Sequence, residues 1–201
     1  MRCPELHDEG ILELYAAIES RLEAGPYLSY RQVLEMSVER LTARLGFAAT
    51  PEEMAALPES VKNWPPFPDT VAALRRLKKR FRLAVLSNID DDLFAGSAKR
   101  LEVPFDLVIT AQQVGSYKPA HKNFEVALEK IGLPREAVLH VAQSRFHDIR
   151  PAKQLGLSAV WVNRRHNQRG AGATPAGGGG PEPELTVPDL ATLAQVAVPE
   201  D

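Results

Sequence analysis

Apolar positions recur at helical spacing through residues 6 to 64 and change to short unbroken runs beyond them. Ile11, Leu14, Tyr15, Ile18 and Leu22 fall on one stripe of a helix from residue 6 to about 24, which Gly25-Pro26 stops. Ser29 and Gln32 have the spacing of a capping box. Val33, Met36, Leu41 and Leu45 give the second helix its buried face, and Gly46 suits its C-terminal cap. Thr50, Pro51 and Glu53 open a third, short helix. The prolines of Trp64-Pro65-Pro66-Phe67-Pro68 fix their own φ and restrict the residue before each, so the connection out of this helical subdomain is stiff. A basic helical stretch follows, with Asp69 placed to cap its start.

The run at 82–87 is different in kind. Leu83 to Leu86 shows no alternation, as in a parallel strand covered on both faces. Similar runs at 106–110, 137–142 and 158–163 alternate with helical stretches, which predicts an α/β fold with a right-handed parallel sheet. The organisation expected is a helical subdomain at 6–64, an α/β core at 65–164, a Gly/Pro-rich flexible segment at 165–184, and a C-terminal helix and tail at 185–201.

Composition narrows the class without naming a function. A chain of 201 residues with 44% hydrophobic and 25% charged residues can build one core with a small subdomain. The net charge of −2 gives no reason to expect nucleic acid or an acidic membrane as partner. The single cysteine, Cys3, excludes an internal disulfide. No run has the length of a membrane span and residues 1–12 hold no signal core, so the cytoplasm is the default location. There is no nucleophile elbow of the Gly-x-Ser-x-Gly kind and no phosphate-cradling Gly-x-x-x-x-Gly-Lys loop.

Polar residues gather after three of the strands: Ser87-Asn88, then Lys118-Pro119, then Gln143 to Asp148. Each has a bland reading alone, Lys118 as a solvated lysine and Ser87, Asn88, Asp90 to Asp92 and Asp148 as helix caps. On successive strand-to-helix connections they sit where chemistry gathers in open α/β sheets.

In this order, LSN, YKPAHKNF and HVAQSRFHDIRPAKQLGL resemble the later motifs of the haloacid dehalogenase (HAD) superfamily, nearest to its type II haloacid dehalogenase-like branch. The helical subdomain resembles that superfamily's cap. The resemblance implies a HAD-like Rossmannoid core and a hydrolase acting on a small organic acid without a cofactor. In it an aspartate carboxylate attacks the substrate and leaves an ester that water cleaves. By the same resemblance Lys118 matches the lysine that offsets the nucleophile's charge. Ser87 and Asn88 match the pair that holds nucleophile and substrate anion, and Asp148 matches the acid that positions Lys118 and the hydrolytic water. Arg21 and Arg31 are the candidates for a substrate-gripping cap arginine, and the apolar cap helices are compatible with a homodimer.

The departures carry expectations of their own. Phe124 stands where the type II enzymes have a tyrosine, and the fourth motif offers one acid, Asp148, where metal-dependent phosphatases of the superfamily have two. A phosphatase would need Asp90 or Asp92 beside Asp148. The first motif, an apolar strand ending in the nucleophilic aspartate, has no counterpart: Asp8 is the only aspartate ahead of the cap and reads as the start of a helix. The chain as given is therefore expected to be inactive, either through a late start of the reading frame or as a non-catalytic remnant that binds a small acid or a partner protein. Without that strand the other four should form two separate pairs, 82–87 with 106–110 and 137–142 with 158–163.

Overall fold

Both capping boxes form. In the computed structural model, which describes residues 7–168, 170, 172–175 and 179–199, helices α1 (Asp8–Glu23), α2 (Tyr30–Arg44) and α3 (Pro51–Ser60) make the cap. Ser29 with Gln32 caps α2, and Thr50 with Glu53 caps α3. The first two N–H groups of α2 find a partner far along the chain. Asp90 Oδ1 accepts from Tyr30 N at 2.9 Å and its Oδ2 from Arg31 N at 2.9 Å. Asp90, read as a cap for the helix that follows it, instead caps one of the cap helices.

Ile18, Leu22 and Val33 cluster with Ala111 and Tyr117, while Leu34 clusters with Val61, Ile89, Leu93 and Phe94. Much of the apolar surface that made a homodimer conceivable is thus covered by the core.

The core runs α4 (Thr70–Lys78), β1 (Ala84–Ser87), α5 (Asp91–Leu101), β2 (Leu107–Thr110), α6 (Ala111–Val114), α7 (His121–Ile131), β3 (Leu139–Ala142), α8 (Arg150–Gln154) and β4 (Ser158–Val162). A Cβ at Gly96 of α5 would lie 2.9 Å from Lys62 Cβ, so only glycine lets that helix approach the 3-10 turn Val61–Asn63 so closely.

β1 pairs with β2 in parallel, Val85 opposite Val108, and β3 with β4, Val141 opposite Val160. Among the described residues β1 and β3 do not pair with each other, so the strands form two sheets. Burial follows the same division. In a single sheet ordered β2-β1-β3-β4 the middle strands would be the most buried. Here Ala84 of β1 and Leu139 of β3 are exposed and no residue of either strand is fully buried, whereas β2 and β4 carry buried Ile109, Thr110, Ala159, Val160 and Val162. Leu86 of β1 packs against the cluster of Phe124, Ala152 and Leu157, and the His140 ring of β3 lies 5.3 Å from the Phe124 ring. An aromatic side chain from α7 thus reaches both β1 and β3.

The C-terminal segment departs from the single helix expected. Leu185–Val187 form β5, parallel to β4 with Val160 opposite Leu185, before α9 (Leu190–Ala197). Glu184 docks it: its N–H donates to Ala159 O at 3.0 Å and its Oε2 accepts from Ala159 N at 2.7 Å. Val187 joins Val160, Val162 and Leu193 in a core cluster. In the preceding segment, expected to be flexible, Arg165 and Gly172 bond to Glu9 (2.6 and 3.1 Å) and Glu182 to Arg145 (2.7 Å). Residues 169, 171 and 176–178 of that stretch, and Cys3, lie outside the described residues. No helix among the described residues is long and apolar enough to cross a membrane.

Asp69 does not cap α4 with its side chain. It binds Arg164 through both oxygens (2.9 and 3.2 Å) and accepts from Leu190 N at 2.8 Å, so it anchors α9. Asp69→Ala should lower stability by about 1–2 kcal/mol in urea titration and raise hydrogen exchange selectively in α9.

Candidate active site

Lys118 lies between α6 and α7, followed by a cis bond to Pro119. Its backbone is clamped by Asn88, whose Oδ1 accepts from Lys118 N at 2.8 Å and whose Nδ2 donates to Lys118 O at 3.0 Å. The ammonium donates to Leu86 O at 2.9 Å and to Asp148 Oδ1 at 2.6 Å. Both side chains are about nine-tenths buried, 10% and 9% exposed. Asp148 sits in a π-helical turn, Arg145–Ile149, closed by Ile149 N on Ser144 O at 3.1 Å and capped by the Ser144 hydroxyl on His147 N at 2.9 Å. From β3, His140 Nε2 reaches Asp148 Oδ1 at 3.0 Å. The structure therefore brings together Asn88, Lys118 and Asp148 and adds His140. Ser87 ends β1 half-buried, and its hydroxyl makes no hydrogen bond among the described residues.

Burial alone would push the Asp148 carboxyl up. The Lys118 charge and the His140 hydrogen bond more than offset it and hold the carboxyl well below the usual carboxylate range. Asp148 is an anion bound to a cation, suited to holding the ammonium in place rather than to accepting a proton.

The cap reaches this site through acids, not arginines. Glu23 Oε1 accepts from Asn88 Nδ2 at 3.2 Å, and its Oε2 faces His147 Nε2 at 3.4 Å. One turn earlier, Glu19 Oε1 accepts from the Tyr15 and Tyr30 hydroxyls at 2.7 and 3.0 Å. Burial and the neighbouring Glu23 push Glu19 up to about 7. The two arginine candidates are elsewhere. Arg31 binds Glu59 at 2.7 Å and Asp92 at 3.1 Å, because the α2 start it occupies faces α3 and α5. Arg21 is exposed, on a surface groove with Arg40 and Arg44.

The site does not fit a magnesium ion. Asp148 Oδ1 already serves Lys118 and His140, Asp90 is committed to α2 and Asp92 to Arg31. Among the described residues no group of three or more His, Cys, Asp or Glu has a metal-holding arrangement.

The missed contributors were His140, His147, Glu19 and Glu23. The signals were a histidine inside the apolar run AVLHVA, and two acids spaced four residues apart next to the apolar stripe of α1.

Fold and site define an α/β protein with a helical cap, its polar residues gathered beyond strand ends around a buried lysine–aspartate pair. Residues 7–156 match the haloacid dehalogenase-like hydrolase family model, and the chain belongs to that family. It is 30% identical over 144 residues to (S)-2-haloacid dehalogenase H-109 of Pseudomonas putida, a match covering 70% of this chain and 64% of that protein. It is also 38% identical over 101 residues to the glyceraldehyde 3-phosphate phosphatase of Methanothermobacter thermautotrophicus, covering 49% and 45% of the two chains. The chain thus spans less than two thirds of the length of these relatives. In fold it is similar to the L-2-haloacid dehalogenase of Xanthobacter autotrophicus with covalently bound chloropropionic acid, with TM-score 0.77, 18% identity, and coverage of 95% of this chain and 86% of that one.

Proposed function

We propose that the chain provides the cap and most of the core of a hydrolase acting on a small organic acid through an aspartyl ester, and that these 201 residues alone do not turn over. The observation that carries this reading is the buried Lys118–Asp148 pair at 2.6 Å, set where β1 and β3, among the described residues, do not pair with each other. Its ammonium is suited to neutralising a second carboxylate, yet among the described residues its other partner is the carbonyl of Leu86.

The reaction needs an aspartate on a strand between β1 and β3. That carboxylate attacks the carbon bearing the leaving group, which departs with the bonding electrons as halide. Water then attacks the ester carbonyl, and the hydroxy acid and the aspartate are released. Lys118 balances the nucleophile's charge, Asp148 and His140 fix Lys118, and Ser87 and Asn88 hold the substrate anion.

The test is restoration. Fusing an apolar strand that ends in aspartate to the N-terminus should give halide release from 2-chloropropionate, with the unextended chain at background. Lys118→Ala in the fused chain should lower the rate by about 100-fold or more. Turnover by the unextended chain, or a fused enzyme indifferent to Lys118→Ala, would refute the proposal. A fused, folded chain that binds but never turns over would favour the non-catalytic reading.

A further inference from the structure

The amide nitrogen of Asn88 has two hydrogens, and both are spent: one on Lys118 O at 3.0 Å, the other on Glu23 Oε1 at 3.2 Å. Nothing is left on that nitrogen for a substrate anion while Glu23 stands there. Glu23 comes from the last turn of α1, and its side chain is 5% exposed. Its second oxygen is buried without a hydrogen bond, as is the His147 Nε2 that faces it at 3.4 Å. A carboxylate in that setting is an expensive occupant. It has the charge and shape of the group a small organic acid would present.

We infer that Glu23 is a tethered stand-in for substrate, occupying the anion seat at Asn88 and leaving it whenever an acid enters. The inference rests on Asn88 being the anion seat. Anion entry and release of this contact between α1 and the core are then one event, and a ligand's apparent affinity is reduced by the fraction of molecules in which Glu23 is seated. Glu23 sets specificity in the same way: an acid binds only if it displaces an intramolecular carboxylate.

Acetate is the probe, titrated into the 201-residue chain with the backbone amides from Ser87 to Asp90 and of Lys118 followed by NMR. Glu23→Ala should bind acetate at least roughly tenfold more tightly than the unmodified chain. Glu23→Gln separates occupancy from repulsion, since glutamine keeps an acceptor for Asn88 but loses the charge. Occupancy requires alanine to gain more than glutamine. Equal affinities in all three chains, equal gains in both variants, or no binding to Glu23→Ala at saturating acetate would overturn the inference. If Glu23→Ala binds acetate just as well when Asn88→Ala is added, the seat is not at Asn88, and that role of Asn88 in the proposed reaction fails instead.

Discussion

Asp148→Ala is expected to cost the fold about 3–5 kcal/mol, a large part of what a domain of this size has in hand. The loss comes from what remains. Lys118, with 10% of its side chain exposed, keeps one hydrogen bond to Leu86 O but loses its counter-charge. His140 loses its carboxylate partner at the same time. Lys118→Met should cost less than Asp148→Ala, because the carboxylate it leaves behind keeps its hydrogen bond to His140, whereas Asp148→Ala leaves the ammonium with only the Leu86 carbonyl. The double variant Lys118→Met/Asp148→Leu should recover most of the loss, since well-packed apolar groups often replace a buried pair without penalty. Urea midpoints of the four chains settle the matter; a double variant as unstable as Asp148→Ala would refute it.

The second large effect is a fall in stability as pH rises. The Glu19 carboxyl is raised from 4.5 to about 7. The folded state therefore holds a proton that the unfolded chain gives up near its ordinary carboxylate pKa. The stabilisation is complete below pH 4.5 and is lost as pH climbs toward about 7, amounting to about 3 kcal/mol over the window. Asp148 works in the opposite sense. Its lowered carboxyl contributes stability above the ordinary carboxylate pKa and loses it as pH falls further. Glu19→Gln should abolish most of the slope above pH 4.5, since the amide oxygen can still accept from Tyr15 and Tyr30. Denaturation midpoints at pH 5, 6, 7 and 8 provide the check, and an unchanged slope in the variant would count against it.

The elements legible in the sequence were those whose signals are local. Ser29 with Gln32 and Thr50 with Glu53 specify their own helix starts, and four apolar runs specify four strands whatever lies beside them. The separation of β1 from β3 among the described residues was also expected, from the reading that no apolar strand stands ahead of the cap. Partners chosen over long distances were not legible. Asp69 serves Leu190, 121 residues away, and Glu184 pins β5 onto β4, where the β-branched Thr186 and Val187 lean toward a strand but three residues are too few to announce one. The site divides along the same line. Asn88, Lys118 and Asp148 were found by motif, while Glu23 and His147 meet only because α1 is folded against the turn after β3.

Asp90 carries a further consequence, for the order in which the chain becomes stable. The N–H groups of Tyr30 and Arg31 are satisfied by a carboxylate 60 and 59 residues downstream, on the far side of β1. During synthesis α2 exists with its own Ser29 cap but with two of its first donors turned to water until β1 and the start of α5 have emerged. The cap is contiguous in sequence, yet the start of one of its helices is completed by a residue outside it. A fragment ending at the proline-rich connection would carry the helices without the residue that finishes one of them. Contacts of such long sequence separation form late and slowly. The start of α2 therefore acquires its final set of partners from the core, and only once α4, β1 and the turn into α5 are in place.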